Sequence, residues 1–209
     1  MDVQKLYLDL RFQGDEEFNE MYPSPIRELA NCHWTPLSVA RKAASFLAIK
    51  PGSKILDIGS GAGKFCLAAA YYKPESIFFG VEQRNHLVEQ AEIAKEILCL
   101  NNAYFLHANF TQLDFDHYDH FYFYNSFYEN LAWAEKIDNA LEYSHNLYRY
   151  YNRYLCKMLA DRPDGTRLVT YHSMEDEVPA DYQLVGIQLD GLLKFWIKQP
   201  QPLKHPDSL

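Results

Sequence analysis

A glycine-rich segment followed by an acidic residue is the clearest sign of chemistry in this sequence. Residues 57–63 read DIGSGAG, and Glu82 follows at the end of the next apolar run. Glycines let the backbone turn sharply and let a ligand approach without a Cβ clash. An acidic side chain at the end of that second apolar run can accept hydrogen bonds from ribose hydroxyls. The pair predicts a nucleoside-binding site, with a ligand-free strand-to-helix turn as the alternative.

Two residues distinguish among the nucleoside cofactors. The dinucleotide fingerprint G-x-G-x-x-G needs glycine where this sequence has Lys64. Asp57 would repel a pyrophosphate but attract the cationic amino group of a methionine moiety. Both points favour S-adenosylmethionine over NAD, so an NAD-dependent oxidoreductase is the less favoured interpretation. The predicted cofactor-binding residues of this region are Asp57, Gly59, Ser60, Gly61, Gly63, Glu82 and the adjacent Gln83.

The glycine loop and Glu82 resemble motifs I and II of the class I S-adenosylmethionine-dependent methyltransferases, and the resemblance covers about residues 34–173. In similar enzymes an Asp or Asn after the third strand accepts the adenine amino group, and the next residue contacts the ring. Asn109 and Phe110 occupy these positions. The resemblance therefore implies that both bind the cofactor, while the alternative for Asn109 is the cap of a turn.

The residues after the fourth predicted strand form the candidate methyl-acceptor site. One large group of N-methyltransferases has Asn/Asp-Pro-Pro-aromatic here, and this chain has Asn125, Ser126, Phe127 and Tyr128, without the prolines. The spacing of Phe123, Asn125 and Phe127 is also similar to the seven-stranded (non-SET) histone lysine methyltransferases. The resemblance implies catalytic roles for Asn125 and Tyr128, and cofactor contacts for Asn125, Ser126 and Phe127. Packing at a helix start is the alternative for Tyr128.

A parallel sheet flanked by helices must position these residues. Strand patterns alternate with helix patterns, which predicts parallel strands with helices on both faces, and ligands bind at the carboxyl ends of such strands. The strand patterns are 54–58, 76–82, 103–108, 120–125 and 166–172, and the helix patterns include 64–72, 84–100 and 128–160. Runs at 182–190 and 192–198 flank Gly191, which predicts a hairpin. The predicted fold is an α/β three-layer sandwich whose mostly parallel seven-stranded sheet ends in an antiparallel hairpin strand.

Residues that interrupt the helix and strand patterns set the boundaries of the remaining segments. Residues 1–33 contain two prolines, and we expect them to form an N-terminal helical cap. Residues 34–200 are predicted to form a single methyltransferase-like domain, and residues 201–209 a C-terminal tail. Thr35 and Pro36 predict the N-cap and first position of a helix. Trp34 beside them is either a lid over the methionine end of the cofactor or a core residue.

Composition and charge narrow the class of protein and its partners. With 48% hydrophobic residues the chain predicts a packed globular fold, and its net charge of −8 argues against a large nucleic-acid footprint. No uncharged apolar run is long enough for a membrane span, and the N-terminal residues do not resemble a signal peptide. The scattered cysteines predict a cytoplasmic protein without a zinc site. The acidic stretch 114–120 predicts a solvated loop rather than a metal site.

The joint pattern predicts an S-adenosylmethionine-dependent methyltransferase (EC 2.1.1 class) that acts on an amine of a protein or small molecule. Methyl transfer from a sulfonium requires mainly positioning of the acceptor, because the leaving group is neutral. The missing prolines after Asn125 keep a second hypothesis open, a non-catalytic cofactor-binding or interaction module with the same fold. Neither the acceptor nor the oligomeric state has a motif of its own.

Overall fold

The computed structural model describes residues 3–173 and 177–200, so the predicted tail at 201–209 lies outside the described residues. Its strands are β1 (Lys54–Ile58), β2 (Ile77–Glu82), β3 (Ala103–His107), β4 (His120–Tyr124), β5 (Arg167–Tyr171), β6 (Tyr182–Gln188) and β7 (Leu193–Lys198). They form one seven-stranded sheet in the order β3-β2-β1-β4-β5-β7-β6. Strands β1 to β5 pair in parallel, whereas β7 pairs antiparallel with β5 and β6. The predicted fold is confirmed, and the predicted strands match within two residues at each end.

Helices cover both faces of the sheet. The α-helices among the described residues are α1 (Val3–Arg11), α2 (Asp15–Asn19), α3 (Ser24–Arg27), α4 (Ala30–His33), α5 (Leu37–Leu47), α6 (Lys64–Tyr72), α7 (Asn85–Ile97) and α8 (His145–Ala160). One apolar core joins α5, α6 and α7 to the sheet face that carries Ile55 and Tyr122. The opposite core joins α8, through Leu155 and Leu159, to the face that carries Leu56. Successive strand residues point to opposite faces, so each strand contributes to both cores.

The chain reverses its direction of winding between β1 and β4. It moves from β1 outward through β2 to β3, then returns to place β4 on the other side of β1 and continues to β5. Neighbouring connections therefore leave the sheet in opposite directions, which opens a crevice at the carboxyl ends of β1 and β4. The glycine loop after β1 and Asn125 after β4 flank this crevice.

Two local predictions are wrong. The predicted helix at 128–160 is a 3-10 turn at Tyr128–Asn130, an irregular segment at 131–144, and then α8. Helix α8 begins there because the hydroxyl of Ser144 accepts a hydrogen bond from the backbone N–H of Leu147, the usual role of an N-cap serine. Thr35 is not the N-cap of α5, since Pro36 holds that position and the Thr35 hydroxyl instead bonds to the buried hydroxyl of Tyr122.

Candidate active site

A cavity of about 490 Å³ lies at the carboxyl ends of β1, β2 and β4. This volume falls within the range of small-molecule and cofactor sites, about 300–1,000 Å³. The sequence-predicted residues that line it are Gly59, Gly61, Glu82, Gln83, Phe110, Asn125, Ser126, Phe127 and Tyr128. Trp34 lines it as well. The predicted residues Asp57, Ser60, Gly63 and Asn109 are not part of the cavity wall.

The glycines of the loop serve different purposes. A Cβ on Gly59 would lie 2.4 Å from the side chain of Ser126, whose hydroxyl donates to the carbonyl of Ile58. A Cβ on Gly63 would lie 2.6 Å from the ring of Phe105, so that glycine permits close packing of α6 on the sheet. Gly61 has open space around its Cβ position and lines the cavity. Only Gly61 therefore leaves room that a ligand can use.

Glu82 ends β2 with its carboxylate already engaged at the cavity wall. Its Oε2 accepts a hydrogen bond from the backbone N–H of Gly61 at 3.2 Å. Its Oε1 accepts from the backbone N–H of Arg84 at 3.0 Å and from the Nη1 of the same residue at 3.3 Å. These bonds fix the carboxylate in an orientation that faces the loop, which suits the recognition of a ribose.

Asn125 lies directly after β4 in a left-handed backbone conformation, with φ of 49°. Asparagine tolerates this region better than most residues with a Cβ. Its Oδ1 is buried and has no hydrogen-bond partner among the described residues. A buried acceptor without a partner costs about 1–3 kcal/mol. Together with the open position at Gly61 and the carboxylate of Glu82, this atom shows that the residues present fit a ligand with both hydroxyl and nitrogen donors.

An aromatic wall closes the cavity on the side of α8. The rings of Phe110 and Phe127 stack with centroids 4.9 Å apart, and Tyr151 packs 5.5 Å from each. Asn109 supports this wall from behind, since its Nδ2 donates to Gln83 and to the hydroxyl of Tyr151, both at 2.9 Å. The Oδ1 of Asn109 caps the following 3-10 turn, as in the alternative interpretation of this residue.

Asp57 and Ser60 lie beneath the loop instead of at the cavity. Asp57 is buried, and its carboxylate accepts a hydrogen bond from the Sγ of Cys66 at 3.7 Å. Burial raises the pKa of the Asp57 carboxyl to about 8, so this group is largely protonated at neutral pH. The side chain of Ser60 packs against Gly80, where a Cβ would lie 2.6 Å from its Oγ.

A match to a known family decides the class of protein. The family described as "Methyltransferase domain" matches residues 49–186. The chain belongs to this family. Membership places the chain in the methyltransferase class, whose methyl donor is S-adenosylmethionine. This result favours a methyltransferase over an NAD-dependent oxidoreductase.

The methyltransferase has curated relatives that it matches over a short stretch. A tRNA (guanine-N(7)-)-methyltransferase of Synechococcus sp. (strain JA-3-3Ab) is 50% identical over 54 residues, which are 26% of this chain and 23% of that relative. The tRNA (guanine-N(7)-)-methyltransferase of Microcystis aeruginosa is 44% identical over 54 residues, 26% of each chain. The chain thus matches about a quarter of the length of these relatives. They give no support to the finer resemblance to histone lysine methyltransferases.

Solved structures share the fold. An RNA methyltransferase from Salinibacter ruber in complex with S-adenosyl-L-homocysteine superposes with a TM-score of 0.54 at 18% identity, over 90% of this chain and 99% of that one. A SAM-dependent O-methyltransferase from Thermotoga maritima has a TM-score of 0.54 at 15% identity, over 87% and 74% of the two chains. At these identities the likeness concerns the fold alone.

The ion-pair network of Arg84 is a feature of this methyltransferase that the sequence pattern did not reveal. Its guanidinium is buried, and it binds the carboxylates of Glu82, Glu129 and Asp138 and the hydroxyl of Tyr143. Burial alone would lower the pKa of Arg84, but the carboxylates of Glu129 and Glu82 raise it above its ordinary value. A cation at the N-cap of a helix is electrostatically unfavourable. That mismatch was the available signal that Arg84 has another role.

The N-terminal helices hold the glycine loop from outside, which the sequence also did not reveal. The buried Nζ of Lys64 donates to Asp15 at 2.5 Å and to Asn19 at 2.9 Å. The hydroxyl of Tyr22 donates to the carbonyl of Ala62 in the loop at 2.9 Å. The loop is therefore fixed on one side by β1 and β2 and on the other by α2 and the residues after it.

Across the described ranges no helix is long and apolar enough to cross a bilayer.

Proposed function

We propose that this methyltransferase transfers the methyl group of S-adenosylmethionine to a nitrogen that carries a hydrogen, on an amine of a small molecule or protein. The observation that carries the proposal is the buried Oδ1 of Asn125, which lacks a hydrogen-bond partner among the described residues. An acceptor N–H that pairs with this oxygen relieves the cost of leaving it unpaired.

The proposal places the cofactor along the ends of β1 and β2. S-adenosylmethionine supplies a methyl carbon on a positively charged sulfur that leaves as a neutral thioether. Glu82 accepts a hydrogen bond from the ribose, and Gly61 lets the cofactor approach the backbone. Phe110 and Phe127 offer an apolar wall for the adenine.

At the acceptor side, Asn125 orients the nitrogen so that its lone pair faces the methyl carbon. The nitrogen–carbon bond forms as the carbon–sulfur bond breaks, and the nitrogen then loses its proton to water. Tyr128 lines the cavity beside Asn125 and contacts the acceptor. Glu129 does not serve as the base in this scheme, because its carboxylate already binds Arg84 and the backbone N–H of Ile137. Positioning therefore supplies most of the rate enhancement.

The charge at the mouth of the cavity supports an amine acceptor. Glu135 and Glu142 line the cavity and are exposed, and Trp133, which also lines it, is 73% exposed. Carboxylates and an aromatic face attract a cation and repel a phosphate. An ammonium group would be concentrated at this mouth before it loses a proton and reacts.

A tRNA base is the second candidate acceptor, and the match to the Synechococcus tRNA methyltransferase favours it. The N7 of guanine offers a lone pair and no hydrogen. The reacting nitrogen would then offer no hydrogen to the Oδ1 of Asn125. The net charge of −8 also opposes binding of a phosphate backbone.

Both candidates are tested in one assay with S-adenosylmethionine labelled on its methyl group. The protein is incubated with a panel of primary amines and lysine-containing peptides, and separately with total bacterial tRNA, and products are identified by mass spectrometry. We expect label in an amine, and loss of that label in Asn125→Gly, which suits the left-handed backbone at this position. Label confined to tRNA, or no label in any acceptor, would contradict the amine proposal.

A further inference from the structure

The side chain of Arg84 joins two parts of the cavity wall that are distant in sequence. Its Nη2 donates to Glu129 at 2.5 Å and to the hydroxyl of Tyr143 at 2.8 Å, and its Nε donates to Asp138 at 3.2 Å. Its Nη1 donates to Glu82 at 3.3 Å. Only 5% of the side chain is exposed. One guanidinium thus connects the end of β2 to three points after β4.

Two of those three points belong to an irregular segment, residues 131–144, which we call the strap. The strap forms one side of the cavity mouth and includes Trp133, Glu135 and Ile137 among its lining residues. It contains neither helix nor strand, and none of its residues is buried. A segment without an apolar core of its own depends on polar bonds for its position.

We propose that Arg84 is a positioning residue that holds the strap over the cavity and couples it to the carboxylate of Glu82. The inference rests on the proposed function because it assumes that the cavity receives the cofactor and the acceptor. The planar fork of arginine matches several oxygens at once, which the point charge of a lysine cannot do. Arg84 holds the strap through Asp138 and Tyr143, alongside Glu129, which accepts from the backbone N–H of Ile137.

The hydrogen bonds of Glu82 indicate how cofactor binding would change the attachment of the strap. An ionised carboxylate offers about four lone-pair sites, and three donors occupy it here, from Gly61 and twice from Arg84. A ribose that presents two hydroxyls displaces one of them, and the Nη1 of Arg84 has the longest of the three bonds. The released guanidinium then pairs only with Glu129 and the strap. Cofactor binding should therefore hold the strap more firmly.

Trypsin cleavage after Lys136 measures the attachment of the strap, because Lys136 is the only lysine or arginine within it. Cleavage is followed by mass spectrometry in the wild type, Arg84→Met and Arg84→Lys. We expect cleavage about tenfold faster in Arg84→Met, since hydrogen bonds between charged groups contribute substantially to local stability. Arg84→Lys should give an intermediate rate, a partial rescue by the conservative variant. S-adenosylhomocysteine should slow cleavage in the wild type and not in Arg84→Met.

Arg162→Lys is the matched control. The side chain of Arg162 is only 8% exposed and forms an ion pair with Asp116 at 2.5 Å, and it does not line the cavity. We expect this variant to leave the rate at Lys136 unchanged. Asp138→Asn removes the negative charge of a partner of Arg84 within the strap and should raise the rate even if Arg84→Met does not fold.

Unchanged cleavage at Lys136 in Arg84→Lys and Asp138→Asn would overturn the role of Arg84, as would an equal increase in Arg162→Lys. The proposed function is tested separately by calorimetry of the wild type with S-adenosylhomocysteine. If the wild type binds this ligand while the Arg84 variants leave cleavage unchanged, the proposed function stands and the inference fails. If the wild type does not bind the ligand, the proposed function fails, and the cleavage rates of the ligand-free variants still decide how the strap is held.

Discussion

The backbone N–H of Gly61 donates a hydrogen bond to the Oε2 of Glu82 across 3.2 Å, and this bond joins the glycine loop to the neighbouring strand. The two features that predicted a nucleoside site are therefore in direct contact. The contact is made between protein atoms alone, so the protein itself positions the loop and the carboxylate relative to each other. Preorganisation of this kind reduces the entropy that a ligand must lose on binding.

Alanine at Gly59 and at Gly61 should have different consequences. Both glycines have positive φ, of 78° and 54°, which costs an alanine about 1–2 kcal/mol. Gly59→Ala adds a clash with Ser126, so we expect a larger fall in the free energy of unfolding than for Gly61→Ala. Gly61→Ala should instead weaken binding of S-adenosylhomocysteine, because its methyl group enters the cavity. Urea unfolding and calorimetry measure the two effects, and equal losses of stability would count against this division of roles.

Glu82→Gln should weaken S-adenosylhomocysteine binding about 10- to 100-fold, since a hydrogen bond to a charged group contributes about 1.5–3 kcal/mol. The amide keeps the shape of the side chain but loses the charge that attracts the ribose hydroxyls and Arg84. Glu92→Gln is the control, because Glu92 pairs with Lys95 on α7 and does not line the cavity. A dissociation constant that is the same in both variants would argue against the ribose contact.

Asn125→Gly separates catalysis from binding. Glycine accepts the φ of 49° at this position, so the fold should be retained. We expect kcat/KM for the amine acceptor to fall about 100-fold, the usual effect of removing one positioned hydrogen-bonding group. Binding of S-adenosylhomocysteine should change little. Steady-state kinetics and calorimetry test this, and methyl transfer at the wild-type rate would remove Asn125 from the mechanism.

Stability should depend on pH through Asp57. Burial raises the pKa of its carboxyl to about 8 in the folded protein, whereas an exposed aspartate has a pKa near 4. Between these values the unfolded chain loses a proton that the folded protein keeps, so this group favours unfolding more strongly as pH rises. Asp57→Asn should therefore gain stability relative to the wild type from pH 5 to pH 8, by a few kcal/mol at most.

Urea unfolding at the two pH values measures this difference. Asp164→Asn, at an exposed turn, is the control for the general effect of removing a carboxylate. A difference between Asp57→Asn and the wild type that stays constant from pH 5 to pH 8 would show that the buried carboxyl is ionised throughout.

The fold followed from the sequence because alternating apolar strands and amphipathic helices specify it locally. The strand β1 and the helix α6 have the predicted bounds. The long helix was predicted wrongly because residues 131–144 include Trp133, Ile137 and Leu141 and therefore resemble a continuous apolar pattern. Those residues line the cavity mouth and do not form a helix face.

Most of the cavity wall also followed from sequence, since strand ends and their first loop residues meet at one edge of a parallel sheet. The arrangement around Arg84 did not, because its partners Glu129, Asp138 and Tyr143 lie 45 to 59 residues away and no local pattern connects them. The same holds for Lys64 and Asp15, which are 49 residues apart. Such bonds depend on tertiary structure rather than on spacing.

A crystal structure with S-adenosylhomocysteine tests the central claim most directly. The proposed site predicts the ribose hydroxyls within hydrogen-bonding distance of Glu82 and the sulfur facing the side of the cavity that carries Asn125. A ribose that makes no contact with Glu82, or a sulfur that faces away from Asn125, would contradict it.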